Sequence, residues 1–229
     1  MPSARADTPD LSHVETWIFD LDNTLYSQGD FFPLIEERMT TFVAQRLKLD
    51  RARAYSLQKA YFHSHGTTLS GLMDLHGIEP AEFLEYVHDI DLARLAPHAA
   101  LAGALQRLPG RRLVYTNGSK AHALRVLERL GIADQFEDVH DIVQAGYRPK
   151  PYRDAYELLL SRHAIVPAKS AMFEDVARNL EVPHALGMTT VLVAETASEL
   201  AHVHHTTSDL AGFLASARIM SYEQPRHGR

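Results

Sequence analysis

At 229 residues, 45% of them hydrophobic, the chain is long enough to bury a sizeable core and to form either one large domain or a core domain with a smaller insertion. Its formal charge of −6 argues against a nucleic-acid polymer as partner, because surfaces that grip a phosphate backbone are net basic. The absence of cysteine excludes disulfides and thiolate chemistry, no apolar run reaches the length of a membrane span, and the expected setting is cytoplasmic.

Residues 1–11 lack periodicity and are expected as a loose arm, as are residues 219–229. Val14–Phe19 is β-branched, aromatic and nearly continuous in apolar character, the pattern of a strand covered on both faces. It runs into WIFDLDNTLY, Trp17–Tyr26, where Asp20 and Asp22 stand two residues apart. On an extended strand both carboxylates point to one side, and two such groups at a buried strand end call for a cation or other partner. A plain polar turn at Asp22-Asn23 is the bland alternative. A calcium loop counted from Asp20 fails, because Leu25 stands where Gly is needed and Phe31 where Glu is needed.

Apolar residues at helical spacing then predict a helix from Asp30, read as its N-cap, to Leu47. Further helices are expected at Ala52–His65, Leu69–His76 with Gly77 as its stop, and Glu79 to Val87. A strand crossover needs only one helix, so residues 30–96 are read as an inserted helical subdomain, with 12–29 and 97–218 as the core. Alternation follows: helix His98–Leu108, strand Arg112–Tyr115, helix Lys120–Leu130, and a short strand at Val139–Val143. Helix Pro151–His163, strand Ser170–Phe173, helix Val176–Leu186, strand Thr189–Val193 and helix Asp209–Ser216, capped by Ser208, complete it. This order predicts an α/β fold, a doubly wound, Rossmann-like parallel sheet with a helical cap.

In such sheets ligands bind beyond the carboxyl ends of the strands. One end carries Asp20 and Asp22, the next Thr116-Asn117-Gly118-Ser119 at a helix start, which suits an anion, and another Glu174-Asp175. Lys150 sits between Pro149 and Pro151 ahead of a helix, and prolines can hold its backbone in place. Tyr152 and Tyr156 share a helical face and are read as packing residues. His202, His204 and His205 fall after the last expected strand and are read as packing or solvated side chains rather than a metal site. No glycine-rich dinucleotide or P-loop pattern occurs, so neither NAD nor ATP is expected.

Taken in order, DLDNTLY at Asp20–Tyr26, the Thr of YTNGS at Thr116, the Lys of RPKP at Lys150 and the acidic pair of FEDVARN at Glu174 and Asp175 resemble the four motifs of haloacid dehalogenase superfamily phosphatases. The likeness runs from about Trp17 to Val193. It implies that Asp20 is a nucleophile forming an aspartyl-phosphate, and that Asp22 protonates the leaving oxygen and later activates water. It also implies Mg²⁺ held by Asp20, Asp175 and the main-chain carbonyl of Asp22, with Glu174 near the metal. Thr116, Lys150, Asn117 and Gly118 would surround the phosphoryl oxygens. Many members carry Asp where this chain has Asn179, for which a hydrogen bond to a metal-bound water is the implied role. Asp22 excludes halide removal, since dehalogenases of the superfamily lack this acid.

DLDNTLYS, HGTTLSGL and FEDVARNL look most like pyrimidine 5'-nucleotidases, which implies UMP or CMP as substrate. His65, Thr67 and Thr68 of the cap offer hydrogen bonds to a base edge, and Tyr61 and Phe62 an aromatic face. A phosphatase for small sugar phosphates or phosphoglycolate is the competing enzyme, and a non-catalytic phosphoryl-binding regulator the competing class. In each case the expected partner is a small phosphorylated molecule, and the sequence leaves monomer or homodimer open.

Overall fold

The computed structural model describes residues 8–26 and 31–220. Six strands form one wholly parallel sheet: β1 Thr16–Phe19, β2 Arg111–Tyr115, β3 Asp138–His140, β4 Ser170–Glu174, β5 Thr189–Val193 and β6 His205–Thr207. Their order is β3-β2-β1-β4-β5-β6. Helices α1 Phe32–Leu47, α2 Arg51–His65, α3 Thr68–His76 and α4 Pro80–His88 all lie between β1 and β2 in the chain. After them come α5 Ala99–Gln106, α6 Lys120–Leu130, α7 Arg153–His163, α8 Glu181–Ala185 and α9 Leu210–Ser216.

Alternation along the strands separates two apolar layers. Ile18, Leu113 and Met172 pack with Tyr156 and Leu159 of α7, whereas Trp17, Phe19, Val114 and Phe173 pack toward α5, α6 and α9. The sheet is therefore covered on both faces, which is why its strands read as continuous apolar runs. Phe19 pairs with Val114 on one side and with Phe173 on the other, so β1 ends one residue short of β2 and β4. The strand order reverses around β1, the place where a doubly wound sheet opens a crevice at its carboxyl edge. Among the described residues no helix is long and apolar enough to cross a membrane.

Several expected boundaries move, each for a local reason. The arm expected to be loose through Leu11 is fixed from Pro9: Leu11 is buried, its N–H donates to the Arg218 carbonyl at 2.8 Å, and the Arg218 N–H donates to Pro9 at 2.9 Å. Asp30 lies outside the described residues, and the first helix starts at Phe32. The strand expected at Val139–Val143 stops at His140, because the Asp141 carboxylate accepts the N–H groups of Lys120 and Gln144 and turns the chain. The helix expected from Pro151 starts at Arg153, which leaves Tyr152 before its first turn. Val176–Leu186 is a tight 3₁₀ turn, Ala177–Leu180, followed by the short α8. The cap of α9 is Asp209 instead of Ser208, its carboxylate accepting the Gly212 N–H at 2.9 Å. A sixth strand appears at His205–Thr207, too short and polar to announce itself by alternation.

The four helices of the insertion pack on one another, α1 against α2 and α4, and α2 against α3. Phe42 and Phe83 meet edge to face at 5.2 Å, and the buried Thr40 hydroxyl donates to the Gln58 side-chain oxygen at 2.6 Å. At the α2–α3 contact Gly71 lies so close to Tyr61 that an added Cβ would stand 2.4 Å from the ring. Gly71→Ala is expected to lower stability by about 1–3 kcal/mol through overpacking, measured by chemical denaturation against the parent protein.

Candidate active site

Phe19 is the last residue of β1, and the Asp20 N–H continues the ladder by donating to the Phe173 carbonyl at 2.9 Å. The chain then turns: the N–H groups of Thr24 and Leu25 both reach back to the Leu21 carbonyl. Asp20 and Asp22 face one cavity of about 240 Å³, but strand alternation is not the cause, because Asp22 already lies in this turn. Asn23 adopts a left-handed φ of 65°, which Asn tolerates better than most residues, and its amide donates to Asp175 at 3.2 Å.

Lys150 crosses the floor of the site. Its ammonium is fully buried and donates to Asp20 Oδ1 at 2.6 Å, Glu174 Oε1 at 2.8 Å and the Tyr115 carbonyl at 2.9 Å. The Asn117 side chain holds the lysine's backbone, accepting the Lys150 N–H at 2.9 Å and donating to its carbonyl at 3.3 Å. Glu174 also accepts from the Asn179 amide at 2.7 Å and from the Val176 N–H at 2.7 Å, so both its oxygens are engaged. Asn179 therefore addresses Glu174 directly. Thr116 is buried at the end of β2, and its hydroxyl accepts the Gly118 N–H at 2.9 Å, shaping the loop that precedes α6.

Asp22 has different company. Its Oδ1 accepts from Tyr26 OH at 2.5 Å and from His122 Nε2 at 3.0 Å. Burial alone would raise its pKa, but those hydrogen bonds and the nearby histidines outweigh it and hold the carboxyl below its usual range. Asp20 goes the other way. Burial pushes it up to about 7 against the pull of Lys150, with Glu174 adding to the rise. Burial and the charges of Glu174 and Asp20 push Asp175 up to about 9.

Oxygens of Asp20, Glu174 and Asp175 lie within 4.8 Å of one another, the group among the described residues that could share a cation. The donors are all hard carboxylate oxygens, three acids gathered around the single Lys150 ammonium, so the site fits a Mg²⁺-like ion. His202, His204 and His205 form no such group; His204 Nδ1 instead accepts the Thr190 N–H at 3.1 Å.

From the cap, Phe62, Thr67 and Thr68 line the cavity, joined by Gln58 and by the Glu36–Lys59 ion pair. His65 does not line it; its ring pairs with the Ser64 hydroxyl at 2.7 Å. Phe31 and Tyr61 are buried in the packing, and Tyr61 OH meets His76 Nε2 at 2.6 Å. His88 at the end of α4 carries no motif in the sequence, yet it borders the cavity and stacks on His122 at 4.3 Å. Burial, with His122 beside it, holds the His88 pKa down at about 3. His122, three residues after Ser119 in the first turn of α6, was within reach of a sequence argument from that spacing; His88, in another subdomain, was not.

A sequence profile of haloacid dehalogenase-like hydrolases matches residues 14–187. The chain belongs to that family. Phosphate metabolism protein 8 of Saccharomyces cerevisiae is 29% identical over 138 residues, covering 55% of this chain and 42% of its own length, so the chain spans less than half of that relative. Among solved structures, CbbY from Rhodobacter sphaeroides in complex with phosphate is similar, with a TM-score of 0.63 at 16% identity over 86% of this chain and 95% of its own. The HAD-hydrolase YfnB from Bacillus subtilis, bound to magnesium, has a TM-score of 0.58 at 14% identity, covering 88% of this chain and 97% of its own. At these identities the two structures establish the fold.

The raised carboxyls give a pH dependence with a definite sign. A carboxyl that holds its proton more tightly folded than unfolded costs stability as pH climbs from its ordinary 3.8 toward its folded value, about 7 for Asp20 and about 9 for Asp175. Between pH 7 and 9 the cost comes chiefly from Asp175, whose folded value lies at the top of that range. In EDTA the melting temperature is therefore expected to fall from pH 7 to pH 9, and saturating Mg²⁺ to raise it more at pH 9 than at pH 7, read by thermal scans.

Proposed function

We propose that this hydrolase cleaves phosphate monoesters through an aspartyl-phosphate on Asp20. The observation that carries the reading is the second carboxylate, Asp22, on the same cavity and held by its own donors. A departing alkoxide needs a proton whereas a departing halide does not, so a positioned acid beside the nucleophile favours ester cleavage over dehalogenation.

In this scheme an Asp20 oxygen attacks phosphorus as the bond to the leaving oxygen breaks, and Asp22 delivers its proton to that oxygen. Asp22 then takes a proton from water, which attacks phosphorus and releases phosphate, restoring the Asp20 carboxylate and the protonated Asp22. The Thr116–Gly118 loop holds the phosphoryl oxygens, while Lys150, its three N–H groups given to Asp20, Glu174 and the Tyr115 carbonyl, acts through its charge and opposes the protonation that burial would impose on Asp20. Asp20, Asp175 and the main-chain carbonyl of Asp22 would hold Mg²⁺, with Glu174 beside them. When bound, the ion offsets the charge of the acids and of the phosphoryl group.

For the leaving group the reading is a pyrimidine nucleoside, the substrate being its 5'-monophosphate. Phe32, Phe62 and Phe83 give the cavity flat apolar walls, while Gln58, Thr67 and Asn117 supply amide and hydroxyl edges, a mixture suited to a small base. The Glu36–Lys59 pair at the same cavity favours a second reading, a small phosphorylated sugar or acid whose hydroxyls those charges would address.

Phosphate release from UMP, CMP, purine mononucleotides, sugar phosphates and phosphoglycolate separates these readings. UMP and CMP are expected to lead in kcat/KM by tenfold or more, about 1.4 kcal/mol. A lead of that size for a sugar phosphate would reassign the substrate, and no release from any of them would leave a phosphoryl-binding regulator. Asp20→Asn is expected to retain under a few per cent of turnover, roughly the loss for a missing nucleophile, with a circular dichroism spectrum unchanged from the parent.

A further inference from the structure

His122 is wholly buried, yet it is spent on a single carboxylate of the site. It stands in the first turn of α6 and donates from Nε2 to Asp22 Oδ1 at 3.0 Å, the same oxygen that takes the Tyr26 hydroxyl. Its Nδ1 has no hydrogen-bond partner among the described residues. A buried nitrogen without a partner is a cost that an apolar side chain of similar size would avoid, so packing alone does not account for the residue.

The ring is clamped. His88 reaches over from the cap and lies parallel to it, 9° between planes at 4.3 Å, while His88 Nδ1 pairs with the Ser119 hydroxyl at 3.0 Å. Ser119 in turn caps α6 by accepting the His122 N–H at 3.3 Å. The imidazole therefore cannot swing away from Asp22 while the cap is in place.

Resting on the phosphatase reading above, we propose that His122 is the positioning residue for the acid-base carboxylate. With Tyr26 it fixes Oδ1 of Asp22 and so reserves Oδ2 as the atom that carries the proton to the leaving oxygen. In the step it serves, the Asp22 Oδ2–H bond breaks and its proton joins the leaving oxygen, as that oxygen's bond to phosphorus breaks and the Asp20–phosphorus bond forms. His122 gains and loses nothing; it sets where the proton starts.

The test uses leaving groups that differ in their need for that proton. Phenyl phosphate and p-nitrophenyl phosphate have nearly the same shape, but nitrophenolate departs unprotonated. In His122→Leu, kcat/KM for phenyl phosphate is expected to fall on the order of 10²-fold, the scale of lost general-acid assistance, and that for p-nitrophenyl phosphate by less than about threefold. His122→Gln, whose amide nitrogen can stand where Nε2 stands, is expected to recover most of the loss. If leucine prevents folding, the comparison of His122→Gln with His122→Asn, too short to reach Asp22, carries the same contrast. Equal losses for both esters in a folded variant would make His122 a packing residue and overturn the inference, leaving the phosphatase reading intact. No hydrolysis by the parent protein of these esters or of any of the nucleotides and sugar phosphates above would sink that reading, and this inference with it.

Discussion

One buried ammonium group organises the active end of this molecule. Lys150 is as inaccessible as any core leucine, and a charge in that position is tolerable only because Asp20, Glu174 and the Tyr115 carbonyl surround it. The three acceptors come from the carboxyl ends of β1, β4 and β2, so the ion pairing that makes the lysine affordable also fixes the three strand ends relative to one another. Glu174 is pinned in turn by Asn179 and the Val176 N–H, and the lysine's backbone by Asn117. Removing one partner would strand a charge in the interior, which costs far more than a surface pair is worth.

The carboxylates of Asp20 and Asp22 share one cavity but differ in environment. Asp20 sits among other acids, where burial raises its pKa, whereas Asp22 receives two donors on one oxygen and is held low. By itself this divergence runs opposite to the reaction's need for an ionised nucleophile and a protonated acid, so a cation beside Asp20 and a phosphoryl group beside Asp22 would have to reverse it. The divergence arises because Asp22 lies past the end of β1 and turns toward α6, while Asp20 still faces the sheet's carboxyl edge.

The cap meets the core at two places on either side of the cavity. At one, the α2–α3 turn sets Gly66 against the lysine loop: with φ at +83° and Pro149, the Lys150 carbonyl and Tyr152 all near 3.3 Å from where a Cβ would stand, only glycine is comfortable. Arg178 strengthens that side by donating to the Phe62 and His63 carbonyls at the end of α2. At the other, His88 stacks on His122. One end of the cavity is thus built by strand ends and the other by helices of the cap, α1, α2 and α4 among them, so changes in the cap would leave the strand-end cluster in place.

Much of this was legible in the chain itself. Apolar runs broken by Asp20-Leu21-Asp22, Thr116-Asn117 and Glu174-Asp175 give the parallel sheet and the positions of its active edge, because strand periodicity and burial are local properties that leave a local pattern. The four helices between β1 and β2 are equally plain from spacing and caps. What periodicity missed was short or polar, such as β6 at His205–Thr207, or was decided by a side chain reaching across the fold, as when Asp141 ends β3 by capping Lys120 and Gln144. Glu174 shows the same limit: the resemblance to the family implies a place near a metal, but only the fold shows that Lys150, Asn179 and Val176 engage both its oxygens. The sequence by itself determined the sheet, the insertion and the residues at the strand ends. Tertiary structure alone decided that Asp22 is held by His122 and Tyr26, that His88 rather than His65 borders the cavity, and that Leu11 is core, because each depends on segments far apart in the chain meeting where no local pattern records the encounter.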